Sequence, residues 1–384
     1  MSGNQSDSPA RFARDLQDRL LQSGKDGFPA WSEPEFAAWA SRLFSIQSAG
    51  NPAYAAWCRA GGIDGRSIPD WRAIPAVPTE AFKSLDLTTL EPAARTACFH
   101  SSGTTGQTPS RHHHSAESLR LYAASLAPWF RFHLIDGLAR GGVPAANPPL
   151  FVGLVPLPAE APHSSLAHML GEVTARYGAS DSLFVGKIGA DGGWELDVDG
   201  AVRALAAAEG AGRATLVAGT AFGFVHLVDG LASRRVRVRL PSGSRAMETG
   251  GYKGRSRTMP KPELHAAIRE ALGLPDAALA TEYGMSELGS QAYDRVATPG
   301  DGDRAEAPRR LRFPPWCRVR VVSPETGNEV AFGELGTVRV LDLANVWSVA
   351  AVQTGDVARR WPDGFDLIGR ASDVEPRGCS LMAV

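Results

Sequence analysis

Residues 101–106 read Ser101-Ser102-Gly103-Thr104-Thr105-Gly106 and follow a short apolar run, Cys98-Phe99-His100. Gly103 and Gly106 let the backbone turn with its N–H groups facing inward. The hydroxyls of Ser101, Ser102, Thr104 and Thr105 add further donors, and a nest of amides suits an anion. Such a loop after a strand can hold the β- and γ-phosphates of ATP. Taken alone, the run is equally consistent with a polar surface turn.

Three later segments extend the pattern. Tyr283-Gly284-Met285-Ser286-Glu287 follows the apolar run 277–280 and is expected to lead into a helix. An aromatic ring, a glycine for close approach, a hydroxyl and a carboxylate suit a nucleotide site at the C-terminal end of a strand. Thr354-Gly355-Asp356 reads as a turn whose carboxylate can take both hydroxyls of a ribose. Gly369-Arg370 closes the region.

Around these segments the periodicity predicts an α/β chain. The first ninety or so residues read as helical: Phe12, Leu16 and Leu20 recur at helical spacing, and Ser32 with Glu35 fits a capping box before Phe36, Trp39 and Leu43. Helices are expected over 115–135, 164–177, 201–209, 221–231 and 261–272, with Gly273 ending the last. Buried strands are expected over 150–157 and 215–218, and a half-buried strand where Val236, Val238 and Leu240 alternate with arginines. Strands separated by helices imply βαβ units and a largely parallel sheet. Residues 296–310 read as a polar linker. Beyond it, 318–322 and 337–343 alternate like antiparallel strands of a small β subdomain.

Composition excludes several classes. The chain has 384 residues, 43% of them hydrophobic, which excludes a disordered, coiled-coil or collagen-like protein. Forty basic against forty-one acidic residues leave no whole-chain footprint for nucleic acid. No apolar run approaches the roughly 18 residues of a membrane span, and the polar N-terminus lacks a secretory h-region, so a cytoplasmic location is expected. Cys58, Cys98, Cys317 and Cys379 show no CxxC spacing, which suggests free thiols in a reducing compartment. His112-His113-His114 is a poor metal site, because consecutive residues of an extended chain point to alternate faces.

The order and spacing of the four segments resemble the adenylate-forming (acyl-activating) superfamily of acyl- and aryl-CoA ligases, luciferases and peptide-synthetase adenylation domains. The resemblance implies that family's N-terminal-domain fold, with ATP and Mg²⁺ as cofactors. In that family the hydroxyl-rich loop grips pyrophosphate, here Ser101 to Gly106. Tyr283, Gly284, Met285 and Ser286 would lie along adenine and Glu287 would hold the metal. Asp356 would bind ribose, and Arg370 would contact the ribose and phosphate region. The family loop usually continues to a lysine, whereas here Pro109 is followed by Ser110 and Arg111. The family's C-terminal domain with its catalytic lysine has no counterpart in this sequence. Lys83, Arg111, Lys253 and Arg370 are the candidate replacements.

Further segments resemble a shortened subfamily, the LuxE-like acyl-protein synthetases of fatty-acid reductase complexes. They are Ile74-Pro-Ala-Val-Pro-Thr-Glu-Ala-Phe-Lys83, Ser164-Ser165-Leu166, Glu248-Thr-Gly-Gly-Tyr-Lys-Gly254 and Arg377-Gly-Cys-Ser-Leu381. This adds Gly250, Gly251 and Tyr252 beside adenine. It implies a cysteine that takes the acyl group from acyl-AMP, here Cys379, and passes it to an acyl reductase partner. A fatty acid is the implied substrate. The alternatives are a ligase for an aryl or small acid with a soluble thiol or amine acceptor, and a non-catalytic nucleotide-binding module. His163 and His168 are candidates near the carboxylate, and Phe222, Phe224 and His226 for the acyl pocket. The expected organisation is a helical segment at 1–94, an α/β nucleotide- and acyl-binding core at 95–308, a β subdomain at 309–370 and a mobile tail at 371–384.

Overall fold

The computed structural model describes residues 7–23, 31–63, 68–101, 108–136, 148–190, 192–250, 259–294 and 308–371. Three helices open the chain: α1 (Pro9–Ser23), α2 (Glu33–Gly50) and α3 (Pro52–Ala60). Phe12, Leu16 and Leu20 of α1 and Phe36 and Leu43 of α2 are buried, as their spacing predicts. Ser32 Oγ accepts from Glu35 N at 3.2 Å and caps α2. A two-residue strand β1 (Val77–Pro78) follows, then the antiparallel hairpin β2 (Ala97–His100) and β3 (Arg111–His114). Helix α4 (Ala116–Phe130) is capped by Ser115 and continues through a π turn, Arg131–Ile135.

The centre is a sheet built from β4 (Leu150–Leu154), β5 (Leu183–Phe184), β8 (Thr215–Thr220), β9 (Arg245–Thr249), β10 (Leu279–Tyr283) and β11 (Ala292–Tyr293). Its order is β11–β10–β9–β8–β4–β5, parallel throughout except for β11. Helices α5 (Ser165–Tyr177), α6 (Val198–Gly210), α7 (Ala221–Ser233) and α8 (Lys261–Leu272) connect the strands, with a small hairpin of β6 (Gly186–Ile188) and β7 (Trp194–Leu196) beside them. Every residue of β4, β8, β9 and β10 is buried, as expected for parallel strands covered on both faces. Leu205, Phe224, Leu231 and Ile268 of α6–α8 pack on one face, and Leu121, Leu126, Leu170 and Val173 of α4 and α5 belong to the core on the other. Phe224 is therefore a core side chain.

A second sheet closes the chain: β12 (Cys317–Val322), β13 (Leu335–Asp342), β14 (Ala351–Trp361) and β15 (Gly364–Arg370) form an antiparallel meander. β1 adds to it in parallel, pairing Val77 and Pro78 with Val352 and Gln353. Gln47 of α2 ties the N-terminal helices to the same sheet. Its amide donates to Asn345 O at 2.7 Å and accepts from Ala350 N at 2.9 Å.

Two expected elements differ. Residues 236–240 form no strand, because their amides bond to helix ends: Val236 N to Leu231 O, Val238 N to Ala271 O and Leu240 N to Leu272 O. The alternation there buries Val238 and Leu240 with no sheet partner. Nor does a helix follow Glu287. Asp342 captures Gly289 N and the Ser290 hydroxyl at 2.9 and 2.8 Å, and the chain turns back into β11.

Candidate functional site

The site lies where the C-terminal end of β10 meets β14, consistent with crevices outside the carboxyl ends of parallel strands. Tyr283, the last residue of β10, donates its hydroxyl to Asp356 Oδ2 at 2.8 Å. Thr354-Gly355-Asp356 is not a turn but a bulge inside β14. Thr337 pairs with Val357 and Arg339 with Gln353, so Thr354–Asp356 face Val338 alone. The Thr354 hydroxyl closes the bulge by donating to Val338 O at 2.9 Å and accepting from Asp356 N at 3.1 Å. The extra residues re-aim the Asp356 side chain toward β10. Arg370, at the end of β15, pairs with Asp356 in the ladder, and its guanidinium lies 3.8 Å from Asp356 Oδ1.

Glu287 is buried four residues beyond Tyr283, and its carboxylate accepts the Ser110 hydroxyl. Its main-chain carbonyl takes Asn345 Nδ2 at 2.7 Å, so the chain from Gln47 through Asn345 sets this loop. Ser286 donates its hydroxyl to His100 O at 2.8 Å, and Ser286 O accepts from His112 Nδ1 at 2.5 Å. These contacts place Glu287 at the base of the hydroxyl-rich loop, because Ser101 and Ser110 pair across it: Ser110 N donates to Ser101 Oγ at 3.0 Å and Ser101 N to Ser110 O at 3.3 Å. Ser102, Gly103, Thr104, Thr105 and Gly106 lie outside the described residues, as do Gly251, Tyr252, Lys253 and Cys379. Gly250 follows β9 with φ +67°, a conformation that glycine adopts without strain.

Burial governs the electrostatics. It raises Glu287 above the usual carboxylate range, with the Ser110 hydroxyl opposing it. Burial likewise raises Asp356, against the Tyr283 hydrogen bond and the Arg370 charge. A divalent cation would offset the cost of charging a carboxylate as buried as Glu287. Among the described residues no three His, Cys, Asp or Glu side chains could hold a metal together. Glu287 is the carboxylate at this site that could serve a divalent cation.

Sequence reasoning missed three contributors. The Ser110 hydroxyl holds the Glu287 carboxylate. Glu80, within the turn Thr79–Lys83 after β1, reaches the bulge: a Cβ built on Gly355 would stand 4.0 Å from its Oε1. The available signal was the segment Ile74–Lys83, of which only Lys83 was a candidate for the site. Asn345, inside an apolar run, carried no signal. Among the candidates, His163 donates Nδ1 to Cys98 O at 2.9 Å and stacks on His100 with centroids 4.3 Å apart. His168 packs behind it, against Phe99 and Tyr122. Phe222 and His226 meet each other on α7. Burial lowers His112 to about 4, so it is neutral at physiological pH.

No family model matches the chain, and no curated protein matches it in sequence. Solved structures do share its fold. A 2-hydroxyisobutyryl-CoA ligase in the postadenylation state, in complex with 2-HIB-AMP, is 14% identical, with 89% of this chain and 68% of that one covered and a TM-score of 0.62. The open conformation of that ligase with 2-HIB-AMP and CoA covers 89% and 70% at 14% identity and the same TM-score. Its thioesterification state covers 88% and 68% at 16% identity, with a TM-score of 0.61. The chain thus has the fold of an adenylate-forming ligase. No helix among the described residues is long and apolar enough to cross a membrane.

Proposed function

We propose that this protein is an ATP-dependent acid-activating enzyme that forms an acyl-adenylate and then an acyl thioester on its own Cys379. The observation that carries the reading is the convergence of Glu287, Tyr283, Asp356 and Arg370 on the closed base of the 101–110 loop. A carboxylate cannot acylate a thiol directly, because oxide would have to leave. In the proposed reaction a carboxylate oxygen attacks the α-phosphorus of ATP and pyrophosphate departs. Charge then develops on phosphoryl oxygens, so positioning and electrostatics do most of the work.

The residues divide that work. Asp356, held by Tyr283 and Arg370, accepts the ribose hydroxyls. Ser101 to Gly106 donate to the departing pyrophosphate. Glu287, held by Ser110, would hold Mg²⁺, which would neutralise phosphate charge. In the second step the Cys379 thiolate attacks the acyl carbonyl and AMP leaves. Cys379 lies nine residues past Arg370, a reach of about 30 Å if extended, and Arg377 favours the thiolate. An acyl reductase would then collect the acyl group, and a fatty chain is what the resemblance implies for it.

Acid-dependent exchange of labelled pyrophosphate into ATP tests the first step, and intact mass after incubation with ATP and acid tests the second. Cys379→Ser is expected to keep the exchange and lose the adduct. A full adduct on the Cys379→Ser protein would falsify the thioester assignment and point to an external acceptor.

A further inference from the structure

The second sheet sets two arginines face to face. In the β12–β13 ladder Arg320 stands directly opposite Arg339, and Arg339 pairs in turn with Gln353 of β14. Residues directly opposite in such a ladder have Cβ atoms about 5 Å apart, and like charges there are destabilising. Both side chains leave the sheet on the face turned away from the fully buried Val338 and Val340. The helical turn Trp71–Ala73 covers part of this face, and Arg320 Nη1 donates to Arg72 O at 3.1 Å. Between turn and sheet is a pocket whose wall includes Trp71, Arg72, Ile74, Arg318, Arg320 and Arg339. Arg72, with 44% of its side chain exposed, keeps it open to water.

Carboxylates are too few to neutralise this wall. Glu33 is shared between Arg72 at 3.4 Å and Arg318 at 3.3 Å, and Asp70 meets Arg72 at 3.3 Å. Glu329 is held by Arg360 at 3.0 Å and stands 4.0 Å from Arg320 Nε. Five guanidiniums (Arg72, Arg318, Arg320, Arg339 and Arg360) thus meet three carboxylates, an excess of two positive charges. Arg339 has no acidic partner among the described residues. Its Nε donates to the neutral Gln353 Oε1 at 2.8 Å, and its two Nη groups make no hydrogen bond among them. Arg320 Nε is buried and also has no hydrogen-bond partner among them. Burial, and then the Arg320 charge, lower Arg339 from the ordinary arginine value. Planar guanidinium forks match the oxygens of a phosphate, and several forks at one pocket exceed what the two oxygens of a carboxylate can accept.

We propose that the pocket between the Trp71–Ala73 turn and the β12–β13 ladder binds a phosphate-type dianion, received by Arg339 and Arg320 with Arg72 at the rim. The dianion cancels the excess charge and separates the two opposed guanidiniums electrostatically. None of the residues assigned to the nucleotide crevice lines this pocket, so the site goes beyond acid activation and does not depend on it.

Calorimetric titration of the full-length protein with inorganic phosphate, against acetate at the same ionic strength, tests the proposal; matching the ionic strength removes general screening. Phosphate should bind and raise the midpoint of a circular dichroism melt, and acetate should do neither. Arg339→Gln and Arg320→Gln should each weaken phosphate binding by about tenfold or more. Without phosphate, Arg339→Gln should melt at or above the parent, because one of two opposed charges is gone. With phosphate the order should reverse, a crossing that a merely structural arginine would not produce. Methyl phosphate separates two sources of the same chemistry: binding tighter than that of inorganic phosphate identifies a phosphomonoester, and equal or weaker binding identifies the free ion. Phosphate binding that is equal in the parent and both variants puts the ion elsewhere, the 101–110 loop included, and overturns the proposal. Absence of binding to the parent overturns it without recourse to any variant, and either result leaves acid activation standing.

Discussion

The Tyr283 hydroxyl donates to Asp356 Oδ2 across 2.8 Å, joining the last residue of a parallel strand to a bulge in an antiparallel one. This bond holds the proposed ribose carboxylate at the mouth of the crevice. A hydrogen bond to a charged acceptor contributes about 1.5–3 kcal/mol. Tyr283→Phe leaves the ring packed on Phe313 and Phe365 and releases Asp356. The KM for ATP is expected to rise about tenfold with a smaller change in kcat, read by pyrophosphate exchange at varied ATP. An unchanged KM would show that Asp356 needs no such anchor.

Ser110 and Glu287 give a pH test. Glu287 must be ionised to hold a metal, and burial raises its pKa while the Ser110 hydroxyl lowers it. Exchange activity should therefore fall as pH drops through the Glu287 pKa. Ser110→Ala removes the opposing contact, so the acid limb of the rate profile should move to higher pH. Glu287→Ala should abolish exchange altogether. A Ser110→Ala limb that stays in place would detach the hydroxyl from the chemistry.

Most of the architecture was legible because it rests on local rules. The unbroken burial of β8 and β10, the cap at Ser32 and the left-handed Gly273 all follow from neighbours in sequence. What escaped depends on distant partners. Thr354-Gly355-Asp356 looks like a turn until Val338 supplies the opposite strand. Residues 236–240 alternate like a strand, but their amides are taken by the ends of α7 and α8. Ser110 and Asn345 gain meaning only when β10 brings Glu287 between them. Glu282 sits inside a readable strand, yet its Thr249 partner follows from the pairing of β9 with β10, not from its neighbours in sequence.

Glu282 also sets a stability slope. Its folded pKa of about 7 lies above the usual 4.5. A raised pKa contributes stability below the unfolded value, and that contribution is lost as pH rises through the folded one. For this buried group the swing is on the order of 3 kcal/mol between pH 4 and 9. Asp342, raised by burial to about 6, acts in the same direction. Urea denaturation across this range should show Glu282→Gln losing less stability at high pH than the parent, with the remaining slope from Asp342. Parallel curves for the two proteins would mean that Glu282 is not held in its protonated form.

Arg245 tests the far end of the neighbouring strand, β9. It opens β9 while Thr249 closes it, so about 13 Å of strand separates it from the site. Its guanidinium is buried, and Nε and Nη2 have no hydrogen-bond partner among the described residues. Burial lowers its pKa to about 10, with no acidic neighbour opposing. Burying donors without acceptors costs stability, and replacing an uncompensated buried charge by an apolar side chain of similar length is often favourable. Arg245→Met should therefore raise the unfolding free energy by about 1–3 kcal/mol and leave the KM for ATP unchanged. Both quantities come from denaturation and exchange measurements on one preparation. A clear loss of stability in Arg245→Met would show that the guanidinium has a counterpart in solution, bound water or an anion, and that the bottom of β9 is a polar site in its own right.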